Sequence, residues 1–198
     1  MPENTPTLST PRLILRRFEP FDLSAVYRIY RDEEVNTFLP WFPARDMNDA
    51  ARLLKEQYLS VYRQPRGYAY ALCLREDNVP IGYLHADLGE AHDLGYGLLG
   101  EYRHRGLMTG AGRVLINRLR ADGLPFITAT HDVNNPASGR VMARLGMTYR
   151  YSYLEQWQPK NRPVVFRLYQ LNLNDGGAPT YRGYWDAHPA HFIENTHP

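Results

Sequence analysis

The residue types best placed to do chemistry are Arg103, His104, Arg105 and Gly106. They stand between a strand-like run, Asp93 to Leu99, and a helix-like run in which Ala111, Val114, Leu115 and Leu119 recur at i, i+3, i+4 and i+8. That arrangement is an anion cradle. The first amides of a helix have no intrahelical partner and the dipole is positive there, so a phosphate can sit on them, helped by the Arg103, His104 and Arg105 side chains. Gly106 lets the backbone come close to the anion. A P-loop is excluded, because no Gly-Lys-Ser/Thr closes the segment, and a dinucleotide fingerprint, G-x-G-x-x-G after a strand, is excluded as well. The cradle lacks an evident metal ligand and suits a pyrophosphate held by amides.

The elements that must position this loop follow from composition and periodicity. A chain of 198 residues with 43% hydrophobic content can bury one sizeable core, and nothing in it marks two full domains. The formal charge of +2 is small and the arginines are dispersed, which argues against a nucleic-acid partner. Cys73 is the sole cysteine, so no internal disulfide can form, and between Leu72 and Leu74 it reads as a small buried thiol. The polar opening, Met1 to Ser9, lacks an apolar run of signal-peptide type and no stretch is long enough to span a bilayer. The expectation is a cytoplasmic protein with no membrane partner. His188 and His191 are spaced i, i+3, but no further ligand follows at suitable spacing, so no metal is expected.

In chain order, Arg12 to Phe18 reads as a strand, and Asp22 as the N-cap of a helix carrying Leu23, Val26, Tyr27 and Tyr30 on one face. A second helix is expected from Met47 to Arg63. Strands follow at Gly67–Leu74 and Pro80–Leu88, with a turn through Glu76, Asp77 and Asn78 making them a hairpin. After Asp93–Leu99 and the loop's helix, which ends near Gly123, Phe126–Val133 reads as a strand. Asn135 and Pro136 then open a helix as cap and first-turn proline, and Gly146 ends it. Tyr149–Gln158 and Val164–Leu173 close the pattern as paired strands. Asp175-Gly176-Gly177 separates residues 1–174, the expected catalytic domain, from a tail, 175–198.

The order strand, helix, helix, three strands, helix, strand, helix, two strands is that of a mixed α/β sheet, and the motifs along it resemble the GNAT superfamily of acyl-CoA-dependent N-acyltransferases, in its RimJ/RimL-like branch. Four places carry the resemblance. Thr10-Pro11-Arg12-Leu13-Ile14-Leu15-Arg16 is similar to the branch's opening strand, and Glu34-Val35-Asn36 through Leu39-Pro40-Trp41 to its first helix exit. The family's Arg/Gln-x-x-Gly-x-Gly/Ala loop appears as Arg103-His104-Arg105-Gly106-Leu107-Met108. Its Asn-x-x-Ser helix start appears as Asn135-Pro136-Ala137-Ser138, followed by Arg140-Val141 and Leu145-Gly146-Met147. Met108 departs from the pattern, since a small residue is usual there. A side chain pointing inward would narrow the cleft.

The resemblance implies an α/β GNAT acyltransferase fold, a mixed central sheet with splayed strands and flanking helices, the cofactor lying where Asp93–Leu99 and Phe126–Val133 part. It implies acetyl-CoA as cosubstrate, held by Leu98, Leu99, Arg103, His104, Arg105, Gly106, Leu107, Met108, Thr109, Asn135 and Ser138. Amine attack on a thioester needs an oxyanion donor, for which a backbone N–H near Leu98 or Leu99 is suited. It also needs a group that donates to the leaving sulfur, expected in Ser138, and a base. Glu155 is the first choice for the base, by similarity to a glutamate on the strand after the Ser-bearing helix, with Asp93 and Tyr96 as alternatives. The acceptor is expected to be a primary amine, either a protein N-terminus or a small amine of polyamine or aminoglycoside type. A non-catalytic acyl-CoA-binding module of the same fold is the competing reading. The tail, with Tyr181, Tyr184, Trp185, His188 and Phe192, is too aromatic for a disordered end. It is expected to dock over the acceptor side of its own cleft or onto a second subunit of a homodimer.

Overall fold

β3 (Tyr68–Leu74) and β4 (Pro80–Ala86) are apolar on both faces, and both are buried almost throughout. They accordingly take the interior of a five-stranded antiparallel sheet, flanked by β2 (Leu13–Arg16) with the short edge β1 (Leu8–Ser9) on one side and β5 (Leu94–Leu98) on the other. The computed structural model describes residues 3–195; the first two residues and the last three of the tail lie outside the described residues. A second, four-stranded antiparallel sheet has the order β6 (Phe126–Asp132), β8 (Arg162–Asn172), β7 (Thr148–Trp157), β9 (His191–Phe192).

One face of the first sheet buries Ala69, Ala71, Cys73 and Tyr83 under α1 (Leu23–Arg31) and α3 (Met47–Leu53). The other face packs Leu13, Leu15, Tyr70, Leu72 and Leu84 against α4 (Leu107–Ala121), and α5 (Pro136–Arg144) continues that layer over β6. A four-residue α2 (Glu33–Asn36) follows α1, its Asp32 N-cap accepting from Val35 N at 2.9 Å. No helix among the described residues is long and apolar enough to cross a membrane.

Two local expectations fail for stated reasons. Asp22 precedes α1 but does not cap it with its side chain. Its carboxylate takes a bidentate grip from Arg16, at 2.7 and 2.9 Å, and the Glu19 amide at 2.8 Å. The expected helix from Met47 to Arg63 is α-helical only to Leu53. It continues as a π-helix over Leu54–Leu59 and a 3₁₀ turn over Val61–Arg63, and the Ser60 amide reaches back five residues to the Lys55 carbonyl at 3.0 Å. Within the widened turns Tyr58 faces the core, hydroxyl to hydroxyl with Tyr30 at 2.5 Å and beside Phe18 with rings 4.3 Å apart.

The tail packs on this chain's own second sheet. Gly183 and Pro189 bracket a short α6 (Gly183–Ala187), after which β9 pairs with β7 through Ser152 and Tyr153. Tyr184 stacks on Tyr153 with ring centroids 5.2 Å apart, and Trp185 meets Tyr151 edge-on at 5.3 Å. Tyr151 donates its hydroxyl to the Tyr181 carbonyl at 2.9 Å. Further along, Arg167 and the buried Ser152 both hold the Glu194 carboxylate, and that bond with Arg167 keeps Glu194 below the usual carboxylate range. Each aromatic pair contributes about 0.5–1.5 kcal/mol beyond its buried area.

Candidate active site

The two sheets meet along β5 and β6, which run parallel but share an isolated bridge, Asp93 with Thr128. Beyond it the strands part, and α4 and α5 start at the open ends. Register fixes which backbone groups face the gap. The Leu99 amide bonds the Ile81 carbonyl of the first sheet at 3.0 Å, so the alternation along β5 turns Tyr96 and Leu98 toward the gap instead. The Leu98 amide is therefore the gap-facing donor. Leu99, expected to share that role, is 1% exposed in the core under α1.

Side chains on β5 divide in the same way. Leu94, Tyr96 and Leu98 pack toward α4 and α5, whereas Asp93, Gly95 and Gly97 face the opposite side. His85 and Tyr83, paired with those glycines from β4, lie over them: a Cβ on Gly95 would meet the His85 ring at 2.3 Å, and one on Gly97 the Tyr83 ring at 2.5 Å. Gly95, Gly97 and Gly100 do have the spacing of a dinucleotide fingerprint, contrary to its exclusion above. Two of them lie within β5 and the third in a 3₁₀ turn, so they do not form a strand-to-helix phosphate turn.

At the open end, a cleft of about 200 Å³ lies between β5, the α4 start and α5. Gly106 takes the left-handed conformation, φ 71°, and no side chain caps α4. The first intrahelical bond there is Gly110 N to Gly106 O, at 3.0 Å, so the amides of Leu107, Met108 and Thr109 have no partner within the helix. This uncapped 15-residue helix start suits an anion and thus fits the pyrophosphate of acetyl-CoA. Met108 is 7% exposed and packs into the core while also forming part of the cleft lining.

The basic residues sort differently from expectation. His104 lines the cleft. Arg103 lines it too, but its guanidinium is engaged by the Leu98 carbonyl and by Glu34, both at 3.1 Å. Arg105 does not join the cleft wall; its guanidinium lies 5.7 Å over the Tyr102 ring. Two cations that sequence reasoning missed are Arg140 and Arg144, on the cleft-facing side of α5. Their i, i+4 spacing after Ser138 was the available signal.

Asn135 caps α5 by accepting from the Ser138 amide at 3.3 Å. That start sits on a buried His131, whose Nδ1–H donates to the Asp132 carbonyl at 2.8 Å and whose ring fills the space against Gly139. Desolvation pushes the His131 pKa down, so its imidazole is neutral filler. Across the gap, the Tyr96 hydroxyl lies 2.8 Å from Ser138 Oγ and 3.0 Å from the Ser138 carbonyl oxygen. Burial pushes the Tyr96 phenol up, and the nearby Asp93 adds to the shift.

The Asp93 carboxyl occupies the vertex of the splay. Although the residue keeps some exposure, desolvation pushes its pKa up to about 7. Thr128 Oγ1 lies 2.9 Å from the Ala91 carbonyl and 3.1 Å from Asp93 Oδ1. Thr128 has one hydroxyl hydrogen. A Thr128 hydrogen given to Asp93 favours the carboxylate and opposes the upward shift, which desolvation outweighs with help from the nearby Asp87. Neither Asp93 nor Glu155 lines the cleft itself; both act electrostatically on Tyr153 and Tyr184, and Glu155 is the more distant from the splay. It lies on β7, two strands from β6, with its carboxylate 3.8 Å from Nε2 of the tail residue His188.

Comparison with known proteins agrees with this geometry. The acetyltransferase (GNAT) domain family matches residues 12–148. The uncharacterized N-acetyltransferase YoaA of Bacillus subtilis (strain 168) is 25% identical over 173 residues, covering 84% of this chain and 96% of that protein. Among solved structures, RimL, a ribosomal L7/L12 alpha-N-protein acetyltransferase in complex with coenzyme A, superposes with a TM-score of 0.73 at 15% identity, over 84% of this chain and 98% of its own. The microcin C7 self-immunity acetyltransferase MccE, in complex with acetyl-CoA and AMP, gives 0.72 at 14% identity, over 82% and 93%. The splayed strands and the uncapped helix between them are thus those of an acetyl-CoA-dependent enzyme, and the chain belongs to the GNAT acetyltransferase family.

Proposed function

We propose that this chain acetylates a primary amine by direct attack on acetyl-CoA, in the manner of the RimJ/RimL-like branch, with residues 1–174 as the catalytic domain and a protein or peptide N-terminus as the favoured acceptor. The observation that carries the reading is the division of labour across β5: Asp93 on one side of the strand, Tyr96 and Ser138 on the other. The α4 amides and His104, with Arg140 and Arg144, would hold the cofactor's phosphates, and the Leu98 N–H the developing oxyanion.

Magnitudes choose among the acid–base candidates. An N-terminal amine has a pKa of about 8, a thiol one of about 8.5, and an ordinary tyrosine about 10. A carboxyl at about 7 can take a proton from the attacking amine with little mismatch. Tyr96, raised further by burial, cannot protonate a thiolate downhill. Ser138, held by Tyr96, therefore serves the departing sulfur by hydrogen bonding, and Asp93 takes the place of Glu155 as the base. A lysine amine, at about 10.4, would be harder for Asp93 to deprotonate, which favours α-amines. The RimL enzyme with the same fold acts, by its name, on an α-amine of a ribosomal protein.

The test is release of free coenzyme A thiol from acetyl-CoA in the presence of peptides with free or blocked N-termini and of small polyamines. Release that requires a free α-amine supports the proposal. Release no faster than hydrolysis with every amine would reduce the chain to a binding module.

A further inference from the structure

The contact between Tyr96 and Ser138 holds more information than a distance. Tyr96 has one hydroxyl hydrogen and two acceptors within reach, the Ser138 carbonyl oxygen at 3.0 Å and Ser138 Oγ at 2.8 Å. The carbonyl can only accept. With the Tyr96 hydrogen on it, the short contact to Oγ is made by the serine's own hydrogen, which then points at Tyr96. In that state Ser138 has no hydrogen for anything else in the cleft. If Tyr96 instead donates to Oγ, the serine hydrogen is released toward the gap, and a hydroxyl that accepts one bond donates the next more strongly.

We propose that Tyr96 is a positioning residue that switches its hydrogen between the two acceptors, and so decides whether Ser138 donates to the departing sulfur. No covalent bond changes in the switch. Two O–H groups rotate; the acceptor amine gives its proton to Asp93, and the departing thiolate, held by the Ser138 hydrogen bond, takes its proton from solvent. Heavy atoms need not move, because both oxygens of Ser138 already lie around the Tyr96 hydroxyl. The cleft wall includes both residues, and Asn135 fixes the backbone that presents Ser138. This inference rests on the acetyl-transfer reading, and specifically on Ser138 serving the sulfur.

Tyr96→Phe keeps the ring in the core and removes only the hydroxyl. The expected result is a fall in kcat of about tenfold with the acetyl-CoA KM held within about twofold, the signature of an interaction made in the transition state. Ser138→Ala should lose a similar amount, and the double variant no more than Ser138→Ala alone, because Tyr96 acts through the serine. Multiplicative losses in the double variant, or an unchanged kcat in Tyr96→Phe, would overturn the proposal. A raised acetyl-CoA KM with unchanged kcat would overturn it as well, by assigning Tyr96 to cleft shape. Failure of the acetyl-transfer reading is separately visible, since the unsubstituted enzyme would then show no amine-dependent thiol release. Circular dichroism of Tyr96→Phe establishes folding, and Ser138→Thr, which retains a hydroxyl, should keep its sensitivity to the Tyr96 substitution.

Discussion

Asp93 and Thr128 are paired twice, by a parallel backbone bridge and by a 3.1 Å contact between carboxyl and hydroxyl, at the point where β5 and β6 begin to part. The strand vertex and the titrating acid are therefore one place. As the base, Asp93 should give a kcat/KM that rises with pH about a midpoint near 7, and Asp93→Asn should lower it by about 10²–10⁴-fold and abolish that limb. An unchanged acidic limb would exclude Asp93.

The same group makes a stability prediction of opposite sign. Its folded pKa of about 7 lies above the ordinary 3.8, so between these values the native state binds more protons than the unfolded one. The stability Asp93 contributes is fully present below about 3.8 and lost as pH rises through about 7. Asp93→Asn should consequently melt higher than the native chain at about pH 8, with the gap closing toward about pH 5. Differential scanning calorimetry at both values checks this.

Gly106 tests the anion cradle. Its left-handed φ of 71° strains any side chain, yet a Cβ there would have no neighbour closer than an Arg12 nitrogen at 3.6 Å. Gly106→Ala should cost about 1–2 kcal/mol of stability through the backbone alone. Gly106→Asp adds a negative charge beside the free amides and should weaken acetyl-CoA binding at least about tenfold more than Gly106→Ala, as measured by calorimetric titration.

Glu155→Gln separates the two carboxylates. Since its side chain meets the tail's His188 rather than the cleft, the substitution should leave kcat within about twofold. A loss comparable with that of Asp93→Asn would return the base to β7.

The tail's clasp should fail in acid. Arg167 holds the Glu194 carboxyl below the ordinary 4.5, so its contribution is present above that value and lost as pH falls through the lowered one. Glu194→Gln should lower the melting temperature at neutral pH and quicken amide exchange in β9. Equal exchange in the two proteins would show that the aromatic stacks alone hold the tail.

Much of this was legible in the sequence because it depends on period and punctuation. The Asn135-Pro136 start, the alternating β7 and β8, and the Gly106 helix entry each announce themselves locally. What was not legible depends on partners far along the chain. Asp22 looks like a cap until Arg16 claims it, and Arg103 like a phosphate ligand until Glu34 and the Leu98 carbonyl do. Glu155 and Asp93 are both carboxylates on strands. Sheet order, which puts β8 between β7 and β6, and the Thr128 bridge at Asp93 set them apart, and neither is visible from the residue types.

The splay also has a consequence for handling the protein. Past Asp93 and Thr128, β5 and β6 are two facing edges, and an unsaturated edge invites a strand from another molecule. Here the hazard is turned inward. Arg103 seals the Leu98 carbonyl, the Tyr96 ring fills part of the opening, and Lys160 and Arg162 of the β7–β8 hairpin bridge to the Asn36 and Thr37 carbonyls at 2.7 and 3.0 Å, tying the second sheet to α2. Weakening these stoppers would open that pair of edges to strands from other molecules.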